Sequence, residues 1–220
     1  MRKAVIFDFD GLLVDTEIIS YRVYKELLNP YGYEMTIQDY AQNYSGKTER
    51  NNVRNLISTY KLPWGLEEGM EKVLNKEKEI LAEGVNLKKG AIDLLHFLKE
   101  NGYKTAIATS STKDRAVKIL KDHCIYDLFD EFVFAEDITR SKPNPDVFLK
   151  AVEKLQVDIH DCFVLEDSES GIEASVNAGI PVICIPDIKK PDMNHQMKAA
   201  AVFDSLYDVI GFFQTRDNEI

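Results

Sequence analysis

Short apolar runs alternate along this chain with segments in which apolar residues recur at helical spacing. Ala4 to Phe9 is a run of β-formers followed by Gly11, and it reads as a buried first strand. Thr105 to Ala108, Cys162 to Leu165 and Val182 to Ile185 repeat the pattern, and Phe132 to Ala135 repeats it more weakly. Between them lie helical stripes. Ala91, Leu94, Leu95 and Leu98 form one, ended by Gly102. Ala116, Val117 and Leu120 mark a second, over Lys113 to Lys121. Val147, Phe148, Ala151, Val152 and Leu155 form a third, with Asn144 expected as its cap and Pro145 as its first residue. Ser168 is expected to cap a fourth that runs through Ala178 and stops at Gly179. Strands alternating with helices predict an α/β fold, a parallel sheet covered on both faces.

The alternation breaks between Thr16 and Glu83, where helical patterns occur without a strand. Tyr21, Tyr24, Leu27 and Leu28 form one stripe, and Val53, Leu56, Ile57 and Tyr60 another. Met70, Val73, Leu74 and the segment to Leu81 suggest a third, and Pro63-Trp64-Gly65 reads as a turn. The expected organisation is a core of residues 1–15 and 86–220 with a helical unit, residues 16–85, inserted after the first strand. Six tyrosines (Tyr21, Tyr24, Tyr31, Tyr33, Tyr40 and Tyr44) crowd the start of that unit and read mainly as its packing core.

Composition narrows the class. The 220 residues are 45% hydrophobic and 29% charged, as in soluble globular proteins. No apolar run approaches the length of a membrane span, and the opening run is too short for a signal peptide, so the cytoplasm is the expected location. The net charge of −10 argues against nucleic acid and anionic membranes as partners, but not against a small anionic substrate. Cys124, Cys162 and Cys184 are widely spaced and form no CxxC pair, which excludes zinc ribbons and dithiol motifs. A monomer or weak dimer is expected.

Ligands of parallel sheets bind beyond the carboxyl ends of the strands. Asp8-Phe9-Asp10-Gly11 closes the first strand, Thr109-Ser110-Ser111 follows the second, Ser141-Lys142-Pro143 precedes a helix, and Glu166-Asp167-Ser168 follows the strand after it. Taken singly, each has an ordinary structural reading as a turn, a helix cap or an acidic helix start. Together they bring carboxylates, hydroxyls and one lysine to one sheet edge. Carboxylates suit Mg²⁺, and hydroxyl, amide and lysine suit phosphate oxygens. One carboxylate can attack phosphorus while another moves the proton.

The strings DFDGLLVDT, ATSS, SKPNPDVF and LEDSESGIEA resemble the haloacid dehalogenase-like hydrolase superfamily, in the branch of β-phosphoglucomutases and small sugar-phosphate phosphatases. The resemblance implies a Rossmann-like core with an inserted α-helical cap domain. It implies Asp8 as nucleophile, Asp10 as general acid and base, and Thr109, Ser110 and Lys142 as phosphate-binding residues. It further implies Mg²⁺ held by Asp8, Asp10 and Asp167, with Glu166 as a direct or water-mediated partner. Asp15-Thr16 would mark the first hinge. Dehalogenases of this fold attack carbon and lack the second aspartate, so Asp10 points to phosphate chemistry.

The fate of the phosphorylated aspartate separates two enzymatic readings, a phosphatase acting on a small phosphorylated metabolite and a β-phosphoglucomutase-type mutase. The resemblance puts Ser20 where mutases carry a histidine. It sets Arg50 one residue from their cap-loop arginine, and it aligns Lys76 with a cap lysine. These departures favour the phosphatase. Gly46-Lys47-Thr48 ends like a nucleotide-binding loop, but Ala41 stands where that loop needs glycine and no strand precedes it. Lys47 and Arg50 therefore read either as substrate contacts or as a solvated charged loop. A non-catalytic binding protein of the same fold is the third reading, and the intact carboxylate set argues against it.

Overall fold

The computed structural model describes residues 4–217. Two compact units are present, one made of the residues through Val14 together with those from Leu87 onward, the other of Asp15–Asn86.

In chain order the first unit contains β1 (Ala4–Phe7). The second unit then supplies α1 (Thr16–Leu28), α2 (Ile37–Asn43), α3 (Glu49–Tyr60) and α4 (Leu66–Ala82). The first unit resumes with α5 (Ala91–Glu100), β2 (Lys104–Ala108), α6 (Lys113–Asp122), β3 (Glu131–Val133), α7 (Asp146–Leu155), β4 (Cys162–Glu166) and α8 (Glu169–Ala178). It ends with β5 (Val182–Cys184), the short α9 (Met193–Gln196), β6 (Ala201–Val202) and α10 (Leu206–Asp217).

The sheet has six strands in the order β3-β2-β1-β4-β5-β6, all parallel. Helices on both faces explain why β1 and β4 are buried at every residue and read as unbroken apolar runs. One face packs Ile6, Ala106, Val164 and Val182 against Val147, Phe148 and Ala151 of α7 and Ile172 of α8. The stripe expected for α7 is therefore its core face, although Val152 is only half-buried.

Local signals set most helix ends. Ser168 caps α8 by accepting from the Gly171 amide, and Gly179 ends it in the left-handed conformation at φ 75°. Gly102, at φ 73°, closes the turn after α5. Asn144 does not cap α7, contrary to expectation. Pro145 holds the cap position, and the Asn144 side chain donates to the Ser141 carbonyl at 3.0 Å, closing the turn that carries Lys142. The two-residue β6 has no sequence counterpart because so short an edge strand shows no periodicity.

In the Asp15–Asn86 unit, α2 was not anticipated, although Thr36 and Asp39 form a full capping box at its start. Leu74, expected on the apolar stripe of α4, is 49% exposed, because the buried face runs through Gly69, Val73 and Ile80. Gly69 lets α4 approach α3 closely; a Cβ there would lie 2.7 Å from Val53 Cγ1. Tyr24, Tyr40 and Tyr44 are buried as expected, whereas Tyr31 and Tyr33 are exposed. The Tyr24 hydroxyl donates to Glu49 at 3.2 Å and that of Tyr40 to Glu17 at 3.0 Å, giving the buried rings polar partners. No helix among the described residues is long and apolar enough to cross a membrane.

Candidate active site

Strand register explains why distant residues meet. Phe7 pairs with Ile107 of β2 on one side and Leu165 of β4 on the other. One or two residues further along come Asp8, Thr109 and Glu166. The Asp8 amide extends the ladder by donating to the Leu165 carbonyl at 3.0 Å, and the Thr109 amide donates to Val133 at 3.0 Å. The chain leaves β1 for β2 on one side and reaches β4 on the other, so Asp8 stands at the switch point of the sheet order.

Asp8 and Glu166 are both buried, and Lys142 bridges them. Its ammonium donates to Asp8 Oδ1 and to Glu166 Oε1, each at 2.6 Å, and lies 4.9 Å from the centre of the Phe148 ring. Glu166 Oε2 accepts from the Asp167 and Ser168 amides, each at 2.8 Å, and from Ser168 Oγ at 3.0 Å. The first turn of α8 leaves room for that carboxylate only because residue 171 is glycine, since a Cβ there would lie 1.7 Å from Glu166 Oε1. Thr109 is buried, with Oγ1 accepting from the Ser111 amide at 2.9 Å, whereas Ser110 is exposed.

The charges do not balance. Burial pushes the Asp8 carboxyl up to about 7, Glu166 and Asp10 add to the rise, and Lys142 opposes it. Burial also raises Asp167 well above the usual carboxylate range, helped by Glu166, Asp8 and Asp187. Burial disfavours the charge on Lys142, yet Asp8 and Glu166 together hold it above an ordinary lysine. One oxygen from each of Asp8, Glu166 and Asp167 lies within 4.8 Å of the others. A trio of hard oxygen donors with surplus negative charge fits a divalent cation such as Mg²⁺. Glu166 is the member most committed to the protein, through Lys142 and the loop amides.

Two partners of Asp10 were missed in the sequence. Arg115 of α6 donates to Asp10 Oδ1 at 2.6 Å and to Ser111 Oγ at 2.5 Å, and Ser111 Oγ donates to Asp10 Oδ2 at 2.6 Å. A signal existed. Arg115 lies in the first turn of its helix, where the helix dipole disfavours a cation unless an acid faces it. Lys88 and Asp187, which pair with each other, were also missed. The remaining candidates, Ser20, Lys47, Arg50 and Lys76, belong to the other unit. There Lys47 donates to the Asn43 carbonyl at 2.6 Å, Arg50 to Glu67 at 2.6 Å, and Lys76 to Glu79.

A family model for the haloacid dehalogenase-like hydrolases matches residues 5–185. A phosphorylated carbohydrates phosphatase of Thermotoga maritima is 33% identical over 178 residues, covering 81% of this chain and 82% of its own. Hexitol phosphatase B of Escherichia coli is 29% identical over 188 residues, covering 83% of each chain. The crystal structure of a β-phosphoglucomutase from Clostridium difficile shares the fold, at 24% identity with a TM-score of 0.74, over 100% of this chain and 98% of that one. The α/β topology and these matches over most of its length establish that the chain belongs to the haloacid dehalogenase-like hydrolases.

Proposed function

We propose that this hydrolase of phosphate esters is a Mg²⁺-dependent phosphatase of small phosphorylated carbohydrates or polyols, working through an aspartyl phosphate on Asp8. The observation that carries this reading is the buried Asp8 carboxylate held by Lys142 at 2.6 Å beside Glu166 and Asp167, with Thr109 just past the end of the neighbouring strand. Asp8 attacks phosphorus, and the bond from phosphorus to the ester oxygen breaks. Asp10 gives its proton to the departing alkoxide. Asp10 then takes a proton from water as that water attacks phosphorus, and Asp8 and inorganic phosphate are released. Lys142, the Thr109 hydroxyl and the Ser110 amide hold the phosphoryl oxygens. Asp8, Asp167 and the Asp10 carbonyl would hold the Mg²⁺, with Glu166 behind them; when bound, it supplies positive charge against the phosphate.

Two features support hydrolysis over the mutase reaction. Ser20 offers no imidazole where the mutases carry histidine, and the relative at 33% identity is named a phosphatase. The test is phosphate release from a panel of sugar and polyol phosphates, with glucose 1-phosphate included with and without a bisphosphate primer. Metal-dependent phosphate release is expected, and Asp8→Asn should abolish it while leaving the thermal transition cooperative. Conversion of glucose 1-phosphate to the 6-phosphate faster than phosphate release would replace this reading with the mutase.

A further inference from the structure

Lys88 and Asp187 have no role in the chemistry above, yet they sit directly behind it. The Lys88 amide donates to the Leu13 carbonyl at 2.9 Å, next to the backbone bridge between Leu87 and Val14. Its ammonium donates to Asp187, whose side chain is only 5% exposed, just past the end of β5. Asp187 and Asp167 flank one glycine. A Cβ on Gly11, at φ 82°, would lie 2.5 Å from Asp167 Oδ2 and 3.2 Å from Asp187 Oδ2. Asp187 also lies outside the trio of carboxylates close enough to share a cation.

We propose that Lys88 and Asp187 form a charge-setting pair behind the cation site, in which Asp187 strengthens the hold on a divalent cation and Lys88 weakens it. This rests on the reading of Asp8, Glu166 and Asp167 as a Mg²⁺ site. The effect is Coulombic. A carboxylate one glycine away from Asp167 attracts a divalent cation across a partly buried path, and a lysine paired with it cancels most of that attraction. Neither residue needs to touch the metal. A pair serving only as a strut behaves differently, because losing either partner loosens the same loop and moves affinity in the same direction.

The two roles separate in a calorimetric titration of Mg²⁺ into the metal-free full chain at fixed ionic strength. Lys88→Gln should tighten the dissociation constant about threefold or more, and Asp187→Asn should weaken it by a similar factor. The double variant should return close to wild type, as cancelling charges require. Lys88→Arg keeps the charge and should leave affinity within about twofold of wild type. Lys88→Met repeats the neutralisation with a different side chain should the glutamine variant fail to fold. Affinity that weakens in both single variants, or moves in neither, overturns the charge-setting role while leaving the metal site in place. A wild-type protein that takes up no Mg²⁺ overturns the site and this inference together.

Discussion

Lys142 is the residue on which the site's electrostatics turn. Its side chain is 8% exposed and is shared between two buried carboxylates. Lys142→Met should lower phosphatase turnover by about a hundredfold or more, as loss of a transition-state donor does. It should also destabilise the metal-free protein by about 3 kcal/mol, because two buried acids lose their cation. Steady-state kinetics and chemical denaturation under a chelator check the two effects separately. Arg115 acts through Asp10, since Arg115 and Ser111 engage both oxygens of that carboxylate. Arg115→Met should leave the Asp10 carboxyl less firmly aimed, and so impair alkyl phosphates, whose leaving groups need its proton, about tenfold more than p-nitrophenyl phosphate, whose leaving group departs without one. An equal loss on both substrates would mean that Arg115 does not work through Asp10. The motif residues were legible in the sequence because Asp8, Asp10 and Asp167 sit in short strings just past strand ends, and Lys142 in one just before a helix. Lys88 and Asp187 were not, since each is a single charged residue whose partner lies 99 positions away, and Arg115, 105 positions from Asp10, showed itself only as a cation in the first turn of a helix.

At the scale of elements, α8 shows how a helix start serves the site. Its N-terminus directs Ser168 and backbone amides to Glu166, and Gly171 leaves the space that carboxylate fills. Gly171→Ala should displace Glu166, cost about 1–3 kcal/mol and reduce turnover. Gly179→Ala at the other end of the same helix is the control. Its Cβ would meet nothing, so only the left-handed backbone conformation is penalised, by about 1 kcal/mol, with turnover unchanged. Thermal melts paired with kinetics decide between the two patterns, and equal loss of activity in both would remove the link from Gly171 to Glu166. The ends of α8 were legible because Ser168 and Gly179 act locally. The start of α7 was not, because Asn144 spends its side chain on the turn of Ser141 rather than on the helix.

For the whole molecule, the surplus of buried acid predicts an unusual pH response. Asp8 and Asp167 have folded pKa values above those of unfolded carboxylates, so the folded, metal-free protein holds more protons than the unfolded chain across the interval between. That contribution to stability is complete below the ordinary carboxylate range and is lost as pH rises through about 7. Carboxylates held low, such as Asp137 and Asp146, have the opposite sign, but their contribution is lost only as pH falls below the ordinary range. The melting temperature of the metal-free protein should therefore fall between about pH 5 and about pH 8, and saturating Mg²⁺ should reduce that fall. Calorimetric scans with chelator and with Mg²⁺ check this. A chelated protein that gains stability over the interval would contradict the raised carboxyls.

The alternation of apolar runs and helical stripes determined by itself that this chain builds a parallel sheet, because strands buried on both faces must be apolar throughout. The same reading placed most of the reactive residues, because they lie where strands end and the chain must turn. Tertiary structure alone decided which charges neutralise which. Coulombic pairing depends on distance through space, and register sets that distance by bringing Asp8 beside Glu166 and leaving one lysine to serve both.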